Sequence, residues 1–152
     1  METAQKKEVR ISRNLNASPD LVFEAWINPK HVAAWWGPAG FTNPVCEVDA
    51  KPGGKMYIEM KASDGTNYPM TGRFLEIIRP KKIVFISGAL DKNGKTIFEV
   101  MNTVTFENEM GKTRLTLEAV VENISDEARP YTDGMNQGWS QSLDRLAGFV
   151  GA

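Results

Sequence analysis

From residue 42 to about residue 122 the chain is one strand-like run after another, each closed by a tight turn and none followed by a helix. Apolar and polar residues alternate through VCEVDA (45–50), KMYIEMKA (55–62), MTGRFLEIIR (70–79), IVFISGAL (83–90), TIFEVMNTVTFENE (96–109) and KTRLTLEAVVEN (112–123). Between them stand Lys51-Pro52-Gly53-Gly54, Ser63-Asp64-Gly65-Thr66-Asn67, Pro80-Lys81-Lys82, Asp91-Lys92-Asn93-Gly94 and Asn108-Glu109-Met110-Gly111, all turn-forming compositions. Connections this short join antiparallel strands, because a parallel pair needs a crossover of about a dozen residues. Such a meander has one face to bury and no partner for it within its own length. The cover lies downstream. From Asp133 to Val150 the apolar residues Met135, Trp139, Leu143, Leu146 and Val150 step by four, four, three and four, which is one face of a single long helix. Asp126 to Tyr131 reads as a short preceding turn.

The N-terminal part adds one strand and two short helices. In EVRISRNLN (8–16), Val9, Ile11 and Leu15 alternate with Arg10, Ser12, Asn14 and Asn16, and Arg13 breaks the apolar parity. Ser18-Pro19-Asp20 is a helix start, with a cap residue, a proline at the first helical position and an early acid. Leu21, Val22, Ala25 and Trp26 form its buried stripe. Asn28-Pro29 breaks it, and Lys30 to Trp36 form a second short helix stopped by Gly37-Pro38. The expected architecture is α+β: a curved antiparallel sheet wrapped around a long C-terminal helix, with two short helices after the first strand. Residues 1–152 fit one domain, structured over about 8–150.

Charge and rare residues narrow the chemistry. Lys+Arg against Asp+Glu is 18 to 19, a formal net charge of −1, so nothing draws the chain to nucleic acid or to an anionic membrane. No stretch approaches the length of a transmembrane helix, and METAQKKEVR lacks the apolar core of a secretory signal. With one cysteine, these features predict a cytoplasmic protein. His31 has no second histidine or acidic cluster beside it, which predicts a solvated helix residue and no metal site. Cys46 sits between Val45 and Glu47 with no base to activate it and reads as a buried small hydrophobe. There is no G-x-S-x-G, no phosphate-binding glycine loop and no paired carboxylates. The expectation is therefore no cofactor, and a binding protein ahead of an enzyme.

The sequence offers instead an inner surface of methionine and aromatic residues: seven Met, seven Phe, four Trp and three Tyr. Met56, Ile58 and Met60 share one strand face, and Phe98, Val100, Val104 and Phe106 share another. Methionine fills irregular space and tolerates varied ligands, so this face is a candidate pocket as well as a core. Asn102 shares the inward parity of Phe98 and Val100 and needs a partner or a ligand. Gly134, Gly138 and Gly148 lie in or beside the long helix, where glycine is costly, and Gly138 beside Trp139 opens room under it. The candidate ligand-binding set comprises Trp35, Met56, Ile58, Met60, Met70, Phe85, Phe98, Val100, Asn102 and Val104 from the helix–sheet part, and Met135, Gly138, Trp139 and Ser142 from the C-terminal helix.

Trp35-Trp36-Gly37-Pro38…Gly40-Phe41 resembles a known family. The likeness extends through Ala17-Ser18-Pro19…Val22-Phe23-Glu24-Ala25-Trp26, Pro52-Gly53-Gly54…Met60, Asp64-Gly65, Gly72-Arg73-Phe74-Leu75-Glu76-Ile77 and Gly138-Trp139…Ser142-Leu143-Asp144-Arg145-Leu146. These segments look like the activator-of-heat-shock-ATPase homologue (Aha-like) branch of the START-like, or SRPBCC, superfamily, in its short single-domain form. The resemblance implies the helix-grip fold with an apolar cavity between sheet and helix, and carries over no catalytic residue. It implies three readings. In order, they are binding of a small hydrophobic molecule, a cyclase- or aromatase-type enzyme, and a stress-related module that contacts a chaperone. For the enzyme reading, residue chemistry offers Asn102 and Arg73 as polar groups to orient a substrate, and the chain is expected to be a monomer or a homodimer. Arg73 shares parity with Leu75 and Ile77 while Phe74 and Ile78 compete for the inner face, so its direction stays open.

Overall fold

A computed structural model describes residues 6–90, 93–122 and 135–151. Its elements run β1 (Lys6–Leu15), α1 (Pro19–Ile27), α2 (Pro29–Trp35), β2 (Thr42–Val48), β3 (Lys55–Lys61), β4 (Asn67–Ile78), β5 (Lys82–Leu90), β6 (Thr96–Glu109), β7 (Lys112–Glu122) and α3 (Met135–Gly151). The seven strands form one antiparallel sheet in the order β1-β7-β6-β5-β4-β3-β2. This is the curved sheet around a C-terminal helix that the sequence pattern predicts. The readings that fall on Asp91-Lys92, on Asp126 to Tyr131 and on Asp133-Gly134 lie outside the described residues.

Local chemistry sets the helix ends. Ser18 accepts a hydrogen bond from the Leu21 amide at 3.4 Å, and Pro19 opens α1. Asn28 then serves two helices: its backbone N–H closes α1 on the Glu24 carbonyl, and its side chain accepts from the Lys30 amide at 3.0 Å to start α2. Most strand boundaries shift by one to three residues from the sequence reading, and one strand shifts at both ends for a local reason. β2 begins at Thr42 and ends at Val48, because the chain bends after Val48 into a tight turn. In that turn a Cβ on Gly54 would stand 1.9 Å from the Asp49 carbonyl oxygen, so only glycine fits. The turn is anchored to β4 by Gly53 N–H to Phe74 O and Phe74 N–H to Gly54 O, at 2.8 and 2.9 Å.

Register decides which residues face the helices. Phe85 pairs with Asn102, Ser87 with Val100 and Ala89 with Phe98, so these share the inner face with Ile83 and Val104. A bulge between Phe74 and Glu76 resets the parity of β4 and settles Arg73: it pairs with outward Ile86 and is exposed, while Phe74 is 1% exposed inside. Arg13 also has an explanation. It lies on the inner face of β1 with Ile11 and Leu15, where its guanidinium meets Asp144 at 3.3 Å and Ser140 Oγ at 2.7 Å on α3. The residue that interrupts the apolar stripe is thus the one that ties the first strand to the last helix.

Candidate functional site

α3 packs against β1, α1 and α2. Over β3 to β6 a cleft of about 300 Å³ remains beside it. Five groups of residues line this cleft: Met135, Gly138, Trp139 and Ser142 of α3; Trp36, Gly37, Pro38 and Phe41 after α2; Met60 of β3; Tyr68 and Met70 of β4; and Ser87, Gly88, Ala89, Phe98 and Val100 of β5 and β6. None is charged. A larger hollow of about 510 Å³ lies against Ile86, Glu99, Met101 and Val120; it is a solvent-facing groove, with Met101 40% exposed.

Eight of the sequence-chosen residues line the cleft: Met60, Met70, Phe98, Val100, Met135, Gly138, Trp139 and Ser142. Six do not. Met56, Ile58, Phe85 and Val104 point inward but lie beneath the cleft, at 3%, 0%, 1% and 0% exposure. Trp35 is 0% exposed and donates its indole N–H to the Ala25 carbonyl at 2.9 Å, pinning α2 to α1. Its helical spacing from Val32, three residues earlier, is the signal that marks it as core. The neighbour Trp36 leaves the helix in extended conformation and reaches the cleft. All four tryptophans meet: Trp26 lies parallel to Trp139 at 6.0 Å, while Trp36 contacts Trp139 at 5.4 Å and Trp35 contacts Trp26 at 4.7 Å, edge to face. Asn102, at 0% exposure, sits just behind the wall and donates from Nδ2 to Ser87 Oγ at 2.9 Å.

The rim is the segment from Trp36 to Phe41, and it is stitched from two sides. Arg145 of α3 donates to the carbonyls of Trp36, Gly37 and Pro38 at 2.9, 3.0 and 3.0 Å, and to that of Ala34 at 3.3 Å. Asn43 donates to the Ala33 and Trp36 carbonyls at 3.0 and 2.8 Å, and Gln141 accepts from the Ala39 amide at 3.1 Å. Gly37, at φ +93°, makes the sharp bend, and a Cβ there would stand 3.1 Å from Met60 Sδ.

The two reactive side chains flagged by the sequence lie elsewhere. His31 is half-buried, not solvated, with its ring 5.3 Å from that of Phe149 on α3. Cys46 is half-buried, and burial pushes its thiol up to about 11, with Glu47 adding to the shift. Because the thiolate is the nucleophile, iodoacetamide alkylation of Cys46 is expected to keep rising about tenfold per pH unit from pH 8 to 10. A free cysteine, with a pKa of about 8.5, levels off by then; a plateau at pH 9 for Cys46 would contradict the burial. Among the described residues no group of three or more His, Cys, Asp or Glu side chains could hold a metal, and no helix is long and apolar enough to cross a membrane.

A family model described as Activator of Hsp90 ATPase homolog 1-like protein matches residues 16–151. Solved structures share the fold across almost the whole chain. A crystal structure of a protein from Chromobacterium violaceum is 29% identical with a TM-score of 0.81, covering 96% of this chain and 98% of that one. The AHSA1 protein from Silicibacter pomeroyi is 23% identical with a TM-score of 0.80, covering 93% and 95%. A solution structure of a protein from Arthrobacter aurescens is 23% identical with a TM-score of 0.82, covering 94% and 85%. No curated protein matches the chain.

Proposed function

The chain belongs to the Activator of Hsp90 ATPase homolog 1-like family, and from that premise we propose that it binds a small hydrophobic molecule in the cleft between sheet and α3, without catalysing a reaction on it. The observation that carries this reading is the cleft itself: about 300 Å³, walled by Met60, Met70, Phe98, Met135 and Trp139, with no charged residue in its lining. Methionine walls adapt to a ligand held by shape. A cyclase-type reading asks Arg73 and Asn102 to face one cavity, and Arg73 faces the opposite side of the sheet. In this proposal the chain acts as one domain. Its lone cysteine, held as an unreactive thiol, suits a reducing cytoplasm.

Native mass spectrometry of freshly purified protein, followed by titration with the neutral dye N-phenyl-naphthylamine, tests the proposal. The expected result is a co-purified apolar molecule, or saturable one-to-one uptake of the dye with enhanced emission. A protein that neither carries nor takes up an apolar molecule would overturn the reading in favour of chaperone contact.

A further inference from the structure

One residue of the cleft wall, Ser87, is paired with a buried amide just behind it, Asn102, and packing alone does not require the pair. On the inner face of β5 the series Ile83, Phe85, Ser87, Ala89 is apolar except at Ser87, and on β6 the series Phe98, Val100, Asn102, Val104 is apolar except at Asn102. The two side chains meet at 2.9 Å. A valine at each position would fill the same wall with no polar group to satisfy.

The orientation of this pair follows from its surroundings. Nδ2 of Asn102 lies 3.3 Å from the Phe85 carbonyl oxygen and 3.2 Å from that of Val100, as well as 2.9 Å from Ser87 Oγ. Carbonyl oxygens only accept, so the amide nitrogen must occupy this side; turning the amide over would set its oxygen against two others. Ser87 Oγ is therefore the acceptor of the Asn102 bond. Its own hydrogen is left for a different partner, and Ser87 is part of the cleft lining. Across the cleft the situation is reversed. Ser142 donates its hydroxyl hydrogen to the Gly138 carbonyl at 2.9 Å and can offer only lone pairs. Arg145 stands at the rim, but its guanidinium is directed to the backbone carbonyls of residues 34 and 36–38.

We propose that Ser87 is a polar subsite of the cleft, with Asn102 as its positioning residue, and that it recognises the carbonyl oxygen of a neutral, otherwise apolar ligand such as a ketone or an ester. Asn102 holds the Ser87 oxygen as an acceptor, which turns the hydroxyl hydrogen toward the space a ligand would fill. Neutrality follows from the uncharged lining, because an ionised group there would be desolvated without a counter-ion. The inference rests on the proposed apolar-ligand function and adds to it a functional group and a place for that group.

Acetylnaphthalene and ethylnaphthalene form a matched probe pair, alike in shape and differing by a carbonyl in place of a methylene. Calorimetric titration of both into the wild-type protein and into Ser87→Ala gives the ratio of their dissociation constants in each. The expected result is that Ser87→Ala weakens the ketone relative to the hydrocarbon by about tenfold, equivalent to about 1.4 kcal/mol. Asn102→Val is expected to lower the ketone preference in the same direction, since the hydroxyl loses the donor that fixes its orientation. A second readout needs no variant for its first half: the infrared carbonyl stretch of the bound ketone should lie below its position in hexane, and should return toward it in Ser87→Ala. An unshifted stretch in the wild type, a stretch that Ser87→Ala does not restore, or an unchanged ratio with both probes bound would overturn the subsite while the apolar-ligand reading stands. If neither probe binds the wild type, both fall.

Discussion

Replacing Arg145 with methionine is expected to lower the unfolding free energy by about 2–4 kcal/mol, measured by urea denaturation followed through tryptophan fluorescence. One guanidinium meets four backbone carbonyls, those of Ala34, Trp36, Gly37 and Pro38. They belong to the end of α2 and the bend beyond it, where helix carbonyls have no partner further along the helix. A hydrogen bond to a charged group contributes roughly 1.5–3 kcal/mol, and the four do not add, because Arg145 is only half-buried and water can replace some of them. Methionine retains the packing of the stem, so the change isolates the donors. Arg145→Lys is expected to recover only part of the loss, since a compact ammonium cannot fork across carbonyls spread over five residues. A loss below about 1 kcal/mol in Arg145→Met would show that the rim is held by Asn43 and Gln141 instead.

The other large effect concerns binding. Gly138→Leu is expected to weaken uptake of an apolar probe by about a hundredfold or more, roughly 2.7 kcal/mol, while raising the melting temperature. Gly138 lines the cleft, and a Cβ built there meets only Pro38 Cγ at an ordinary 3.7 Å. A longer side chain therefore enters the cleft instead of colliding with backbone. Stability rises because glycine in a helix interior costs about 1 kcal/mol against alanine, and the new side chain buries apolar surface in existing space. Gly138→Ala serves as the control: it keeps the helix gain and leaves most of the volume open, so its probe affinity should stay close to wild type. A Gly138→Leu protein that binds as the wild type does would place the ligand elsewhere, the outward groove near Met101 being the alternative.

How much of this was readable from sequence depends on what sets each feature. The strands, the two short helices and the long final helix follow from period and caps, which are local. Arg13 was visible as a break in the β1 stripe, but its meaning needed Asp144 and Ser140, more than 120 residues away. The direction of Arg73 was not readable, because the bulge between Phe74 and Glu76 shifts parity without a marker residue. The same limit separated Trp35 from Trp36: the pair reads as one motif, yet α2 ends between them, and only the second reaches the cleft. Ser87, Gly88 and Ala89 carry no hydrophobic signal along the chain because they are small, although smallness is what makes room along that part of the wall. Phe41 and Tyr68 lie 5.8 Å apart beyond a segment with Gly37 and Gly40 at positive φ, so no spacing along the chain announces them.

The strand order also has a temporal side. β1 precedes the rest of the described sheet along the chain, and its sole neighbour among the described strands is β7, with Ser12 and Thr116 in contact across 104 positions. At about 5–20 residues per second, synthesis of that intervening chain takes roughly 5–20 s, during which β1 cannot find its place. Val9, Ile11 and Leu15, buried in the fold, have no strand edge to cap until β7 is made. The contact is also costly in loop entropy, which makes closure of β1 on β7 a slow step in folding. α3, which packs on β1 and walls the cleft, gains this support only after that step. The cleft is therefore among the last parts of the described structure to be completed.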